Sequence, residues 1–490
     1  MLFTSPLFLF AFLPVLLTVY YLAPRSIQVK NAVALAGSVL FFSWGEPLFV
    51  FLLLAGVFID YRASRILEPG AGYGNSVRKW VLIGAIALNV LSLLASKYLD
   101  FIVIEVLTPL SPWLHWEVAP PGFPLLLGIS FITFHRISYL VDSYKGRAVP
   151  PRGFLDCALY IFLFPQLIAG PIIRYHDIGA QIHDRRHTPE LFLTGFVRFS
   201  VGLLKKVIIA DPLGLLADRV FAMPAGELTP LYAWGGIVAY TLQIYFDFSG
   251  YSDMALGLGR TMGFSFPENF NRPYISTSVT EFWRRWHISL SSWMRLYLYI
   301  PLGGNKASAA RMYLNLWIVF LISGIWHGAS WNFIAWGAYY GFFLSVERLL
   351  ANSRLADIKV HWLARQALTI FIVMVGWVLF RSPTLTVAKD YLAVMFLLAP
   401  AEVPYPQPWG LVFWNRDIAT MALGACLACV TLPKWARQIL PSLQDAWSSN
   451  PSPQGFVGIS AQFVVSIVAL TVAAAGILSS DYSPFLYFRF

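Results

Sequence analysis

The chain has 490 residues, of which 58% are hydrophobic, 16% aromatic and only 12% charged. A soluble domain carries about 25% charged residues, so this composition excludes a water-soluble globule and describes a polytopic, all-α membrane protein. The net charge of +10 raises nucleic acid as a partner, but the basic residues sit in short clusters between apolar runs, as in cytoplasmic loops, and form no stripe that tracks phosphates. The bilayer is the expected partner, and nucleic acid is not.

Phe3 to Leu22 is free of charge over about 20 residues, enough to cross a bilayer. It lacks a basic leader and a small-residue cleavage site, so it reads as a retained first span. Asn31 to Ile59 is apolar and interrupted at Gly45-Glu46-Pro47, which predicts two helices joined by a turn. Arg25 and Lys30 precede this pair; Arg62, Arg65, Arg78 and Lys79 follow it. Two basic loops on one side of a helix pair mark the cytoplasm and put the N-terminus outside. Trp80 to Ser96 crosses outward to a segment with Asp100, Glu105 and Glu117, and Phe123 to Val141 returns to Lys145, Arg147 and Arg152. Phe154 to Ile173 has basic residues on both flanks, so one span there violates the charge rule; a re-entrant hairpin bent near Pro165 and Gly170-Pro171 satisfies it.

Leu191 to Leu216 is apolar but interrupted by Arg198 and Lys205-Lys206, and Leu231 to Phe266 carries Asp247, Asp253 and a Gly259-x-x-x-Gly263 spacing suited to close helix packing. Two spans lie within Tyr313 to Leu350, and further segments are Gln366 to Phe380, Ala388 to Leu398, Ile418 to Leu432 and Phe463 to Leu478. The sum is roughly a dozen membrane segments. No soluble domain and no internal repeat is visible. Cys157, Cys426 and Cys429 cannot build a disulfide framework, and the Cys426-x-x-Cys429 pair reads as two small buried residues, not a redox or zinc site.

The chemistry gathers between Gln243 and Gly328. His327, in Trp326-His327-Gly328, stands in an apolar run where an ionisable ring is costly without a partner and usually faces a cavity or pathway. Residues 281–295 pack one acid, three arginines, three tryptophans and His287 into about four helical turns, a composition suited to the membrane interface. That setting accounts for the Trp and Arg but less well for His287. Residues 243–253 hold Asp247 and Asp253, which either pair with cations in a helix seam or line a substrate cavity. His183-x-x-x-His187 has metal-pair spacing but lies in a polar loop with Asp184, Arg185 and Arg186, so no metal site is expected. Serine-hydrolase and zincin motifs are absent.

Residues 243–253, 268–274, 281–291, 302–305 and 326–328 together resemble the membrane-bound O-acyltransferase (MBOAT) family, in the bacterial branch that acetylates alginate and related exopolysaccharides. Further matches at Phe3-x-Ser5, 168–171, 376–381 and 483–490 extend the resemblance over nearly the whole chain. It implies one MBOAT-like domain over 1–490, with a catalytic core near 122–350 and peripheral helices in 1–121 and 351–490. The implied fold is a ring of helices with re-entrant segments around a central funnel or tunnel in the bacterial inner membrane. His327 matches the family's essential histidine and His287 the second histidine of this branch. Also implied are a cytoplasmic acyl thioester as donor, acetyl-CoA being the simplest, with no bound cofactor, and a periplasmic SGNH-hydrolase-like partner that passes the group to a polysaccharide. Relatives usually carry Asp after the Arg of the Trp-x-Arg motif, whereas Leu296 follows Arg295 here, which puts donor docking in question.

The expected reaction is metal-free acyl transfer. His327 acts as general base toward an acceptor hydroxyl, and His287 orients the reactants or stabilises charge developing on the thioester carbonyl. The base role requires a neutral imidazole. Asp247, Asn269, Arg285, Arg295 and Trp326 are candidates for cavity lining or positioning. Peptidoglycan O-acetylation and teichoic acid D-alanylation are alternatives with the same chemistry. From other classes, a polysaccharide transporter or flippase, or a scaffold for periplasmic enzymes, fits the composition too.

Overall fold

The computed structural model of the chain describes residues 1–114, 119–122, 126, 128–224, 226–354, 358–398, 408–429 and 456–479. Glu117, the end of the Ile418 to Leu432 segment and the 483–490 match lie outside the described residues. Every regular element among the described residues is helical, as a backbone with no water to bond requires. Among the described residues four helices are long and apolar enough to cross a membrane, namely Asn75–Lys97, Ala309–His327, Trp362–Arg381 and Gly458–Leu478, and Phe8–Leu22 and Ile27–Ser43 are apolar but shorter. Other segments counted from the sequence fail such a test for physical reasons. The helix Pro230–Thr261 carries Asp247, Asp253 and Arg260, all buried, and Pro189–Leu204 continues through a π-helical turn at Lys205–Ala210 into Asp211–Phe221.

The chain divides into two compact units. The first takes its described residues from 1–199, 254–267 and 445–463, the second from 200–253, 268–444 and 464–490. The stretch 122–350 contributes to both.

In the first unit, Ile27–Ser43 and Phe49–Leu67 are the two helices expected on either side of Gly45-Glu46-Pro47. Asp60 on the second is wholly buried and takes Arg136 Nε at 2.5 Å and Asn89 Nδ2 at 3.1 Å, so an apolar setting is made tolerable by pairing. The hairpin expected over 154–173 is a broken segment, buried from Cys157 to Ile173: Phe154–Phe162, then Phe164–Leu167, then non-helical backbone to Arg174. Nine helical residues rise about 14 Å, roughly half the hydrocarbon thickness, so this segment does not span as one helix.

The Gly259-x-x-x-Gly263 spacing serves a purpose other than helix packing. Gly263 has φ +83° and ends the helix, and Gly259 sits against the Phe266 ring as the chain turns back. Close backbone approach falls instead at Gly257 against Gly195 in the first unit and at Gly250 against Gly202 in the second. The sequence pattern pointed to the pair four apart, whereas the contacts recur seven apart. The cysteines also differ from expectation, since Cys426 is exposed and Cys429 partly so on the apolar helix Asn415–Cys429.

Candidate active site

The second unit holds both histidines. His327 is the last residue of the helix Ala309–His327, where Gly328 turns into an extended conformation before Trp331–Ala351 begins. Its ring, 6% exposed, is set among Trp326 at 4.7 Å, Trp336 at 5.0 Å and Phe380 at 5.0 Å between centroids. Trp336 and Tyr340, one turn apart on the facing helix, are buried, and neither Trp336 Nε1 nor the Tyr340 hydroxyl has a hydrogen-bond partner among the described residues; the same holds for Trp283 Nε1, whose ring lies 4.9 Å from Tyr340. Buried donors of this kind call for an acceptor, and an acyl or sugar oxygen is one.

His287 breaks the helix that the sequence suggested. Val279–Arg285 ends, His287 adopts φ +44°, and Ile288–Met294 starts anew. The cause is Asn269. Its backbone carbonyl accepts from Ile288 N at 2.9 Å, while its Oδ1 accepts from Ser289 N at 3.2 Å and Ser289 Oγ at 2.9 Å, capping the second helix from outside. The same Oδ1 lies 3.0 Å from His287 Nδ1, and Asn269 Nδ2 donates to Ser252 Oγ at 3.0 Å, which fixes which way the amide faces. An amide oxygen only accepts, so Nδ1 carries the proton of neutral His287 and Nε2 carries the lone pair. Phe248 stands edge-on to the ring at 4.7 Å.

Trp326 joins the two imidazoles, its centroid 6.3 Å from that of His287 and 4.7 Å from that of His327. Of the candidates from the sequence, His287, His327, Trp326 and Asn269 therefore come together. The others do not join them. Asp247, 1% exposed, meets Lys206 Nζ at 2.8 Å, Lys206 also meets Asp211 at 2.5 Å, and Lys205 pairs with Asp253 at 2.5 Å. Arg285 pairs with Glu281 at 2.9 Å and bonds the Asn271 carbonyl at 3.1 Å, while Arg295 is exposed at the start of the π-helical turn Arg295–Tyr299. His183 and His187 have separate partners, Asp156 at 3.3 Å and Tyr20 at 2.7 Å.

A buried ion triad of this kind holds helices together. Replacing Lys206 by Met leaves two buried carboxylates facing one another, and the expected cost is about 3–5 kcal/mol. Thermal unfolding in detergent checks it, and a loss below about 1 kcal/mol would show that the triad does not hold the fold.

Glu347 was not foreseen. It lies near the end of Trp331–Ala351, and its carboxylate accepts from Val279 N and from Thr280 N and Oγ1, the latter two at 2.8 and 2.7 Å, clamping the helix that leads to His287. A lone acid closing a long apolar run was the available signal. Phe248, Trp336 and Phe380 gave none, because aromatic residues are common throughout the chain.

The sequence also carries direct likeness to known proteins. Residues 87–386 match the family model described as MBOAT, membrane-bound O-acyltransferase family. The chain is 42% identical to a protein named probable alginate O-acetylase AlgI from Pseudomonas aeruginosa and 38% identical to one of the same name from Azotobacter vinelandii, with all of each chain covered. It is 33% identical to the peptidoglycan O-acetyltransferase of Helicobacter pylori, over all of this chain and 98% of that one. A buried pair of histidines bridged by a tryptophan thus sits in a helical chain whose sequence is shared end to end with membrane acetylases, and the chain belongs to the membrane-bound O-acyltransferase family.

Proposed function

We propose that this membrane O-acetyltransferase moves an acetyl group from a cytoplasmic thioester to a hydroxyl presented from the other side of the bilayer, for O-acetylation of an extracellular polysaccharide such as alginate or cellulose. The single observation that carries the reading is the His287–Trp326–His327 cluster, with a tautomer of His287 set by Asn269.

His327 takes the proton of the acceptor hydroxyl as its oxygen attacks the thioester carbonyl. The tetrahedral intermediate then collapses, the C–S bond breaks, and the imidazolium returns a proton to the leaving thiolate. Neutral His287 presents Nε2 as an acceptor, which suits orienting the hydroxyl; it stabilises negative charge only after gaining a proton. Trp336 supplies a donor beside His327 for the carbonyl oxygen, and Tyr340 and Trp283 lie behind it against the Trp336 ring.

Acetyl-CoA is the simplest donor. The acceptor is a hydroxyl on a periplasmic SGNH-hydrolase-like partner that modifies the polymer, and the setting is a bacterial inner membrane with the N-terminus periplasmic. Peptidoglycan as the polymer is the second reading, favoured by the Helicobacter pylori relative.

The test is acetyl-CoA consumption by the purified chain with the partner present or absent, followed by transfer to alginate, cellulose or peptidoglycan fragments. Partner-dependent turnover with one preferred polymer supports the reading. No turnover with any of them, while labelled glycan crosses the membrane, replaces it with transport.

A further inference from the structure

In the first unit, two cations are buried together, and among the described residues no acid pairs with either. Lys30, near the start of Ile27–Ser43, donates from Nζ to the Tyr20 carbonyl at 2.8 Å and lies over the rings of Tyr20 and Tyr21 at 4.6 and 5.2 Å. Arg185, in the loop after Tyr175–His183, donates to Asn31 Oδ1 at 2.7 Å, Tyr20 OH at 2.9 Å and the Met262 and Gln181 carbonyls at 3.0 and 3.2 Å, and stacks on Phe264 at 4.0 Å. Lys30 is 6% exposed and Arg185 8%. Every one of these partners is neutral. Among the described residues no carboxylate lies within 4.0 Å of either cation; Asp184 and Arg186, on either side of Arg185, are both exposed.

Burying two positive charges among carbonyls, a phenol and aromatic faces costs free energy that these neutral contacts offset in part and a counter-charge would offset further. His187 reports the resulting potential. Its Nε2 lies 2.7 Å from Tyr20 OH, and it is pushed down to about 4, by burial first and then by Arg185 and Lys30.

We infer that Lys30 and Arg185 form an anion site that takes a phosphate group, presented by a lipid headgroup or by a small soluble phosphate ester. Four of the five guanidinium N–H groups of Arg185 are engaged, which leaves one on Nη2, and two hydrogens of Lys30 Nζ, for an oxyanion. The setting suits a headgroup in particular. Tyr21 and Leu22, which end the adjoining apolar helix, are 39% and 82% exposed, an aromatic and an aliphatic surface at the level where acyl chains meet headgroups. The charge pattern of the loops puts this end on the cytoplasmic side, where anionic lipids gather.

Phosphate binding is read by native mass spectrometry of the full chain in a phosphate-free maltoside, with phosphatidylglycerol, phosphatidylcholine and inorganic phosphate titrated separately. Wild type is expected to take up phosphatidylglycerol or inorganic phosphate about tenfold more tightly than Lys30→Gln or Arg185→Gln, the scale of one charge-assisted contact. Lys30→Arg keeps the binding. Preference for phosphatidylglycerol identifies a lipid, and binding of inorganic phosphate without lipid discrimination identifies a soluble ester.

A second readout uses the wild-type chain, with His187→Gln as its control. In the folded chain His187 stays neutral down to about pH 4, whereas the unfolded chain gains its proton below about 6.5. Wild-type stability therefore falls as the pH drops through that window. An anion on Lys30 and Arg185 raises the folded value and shrinks the fall, and His187→Gln removes the effect. Equal uptake of all three probes by wild type and variants, with a pH-dependent loss that none of them alters, overturns the site.

Discussion

Replacing His327 by Ala is expected to lower acetyl transfer by about 10²–10⁴-fold, the range that a positioned general base contributes, while the protein still folds and still binds the proposed acceptor partner. The imidazole stands in an aromatic surround of Trp326, Phe333, Trp336 and Phe380 and makes ring contacts with each. Loss of the ring removes the proposed base, and His287, on the far side of Trp326, is the one other imidazole of the cluster. It also leaves a cavity, so the fold must be checked separately by thermal unfolding; a stability loss alone would lower the amount of active enzyme and not the rate per folded molecule. The measurement is single-turnover consumption of acetyl-CoA with the partner supplied, normalised to folded protein. A fall of less than about tenfold sinks the base assignment.

Much of this arrangement was legible in the chain. His327 stood out because an ionisable ring in an apolar stretch is rare and costly, and the tryptophan-rich residues 281–295 marked His287. The break at His287 was not legible. Residues 281–295 have the composition of one amphipathic helix, and nothing local announces that Asn269, 18 residues earlier, supplies the cap that lets the chain stop and restart with His287 at φ +44°. The roles of Asp247 and Asp253 stayed open for a related reason. A carboxylate at membrane depth reads the same whether it lines a cavity or pairs, and only the fold sets Lys206 and Lys205 beside them. Glycine spacing misled because the pattern at 259 and 263 is also that of a helix end; close packing falls on Gly250 and Gly257, whose partners Gly202 and Gly195 belong to another segment.

Asn269 carries the second large effect, and its argument runs through His287. One oxygen, Asn269 Oδ1, holds Ser289 N, Ser289 Oγ and His287 Nδ1. Asn269→Leu takes the shared acceptor away from those three buried donors, at about 1–3 kcal/mol for each bond lost, and frees His287 to place its proton on either nitrogen. Asn269→Asp is the more telling variant, since a carboxylate accepts from the same three groups. It gives up the Nδ2 bond to Ser252 and sets a negative charge against the ring. That charge favours the imidazolium, and an imidazolium cannot accept from the acceptor hydroxyl. The expected result is a fall in kcat of about 10²-fold at neutral pH, with the acidic limb of the rate profile moved to higher pH and KM for the thioester little changed. His287→Ala is expected to cost a similar factor, and the double variant Asn269→Asp, His287→Ala no more than His287→Ala alone, because the asparagine acts through the imidazole. Multiplying losses in the double variant would instead place Asn269 in direct contact with substrate, and an Asn269→Asp enzyme with an unshifted profile would show that the tautomer of His287 does not matter to the reaction.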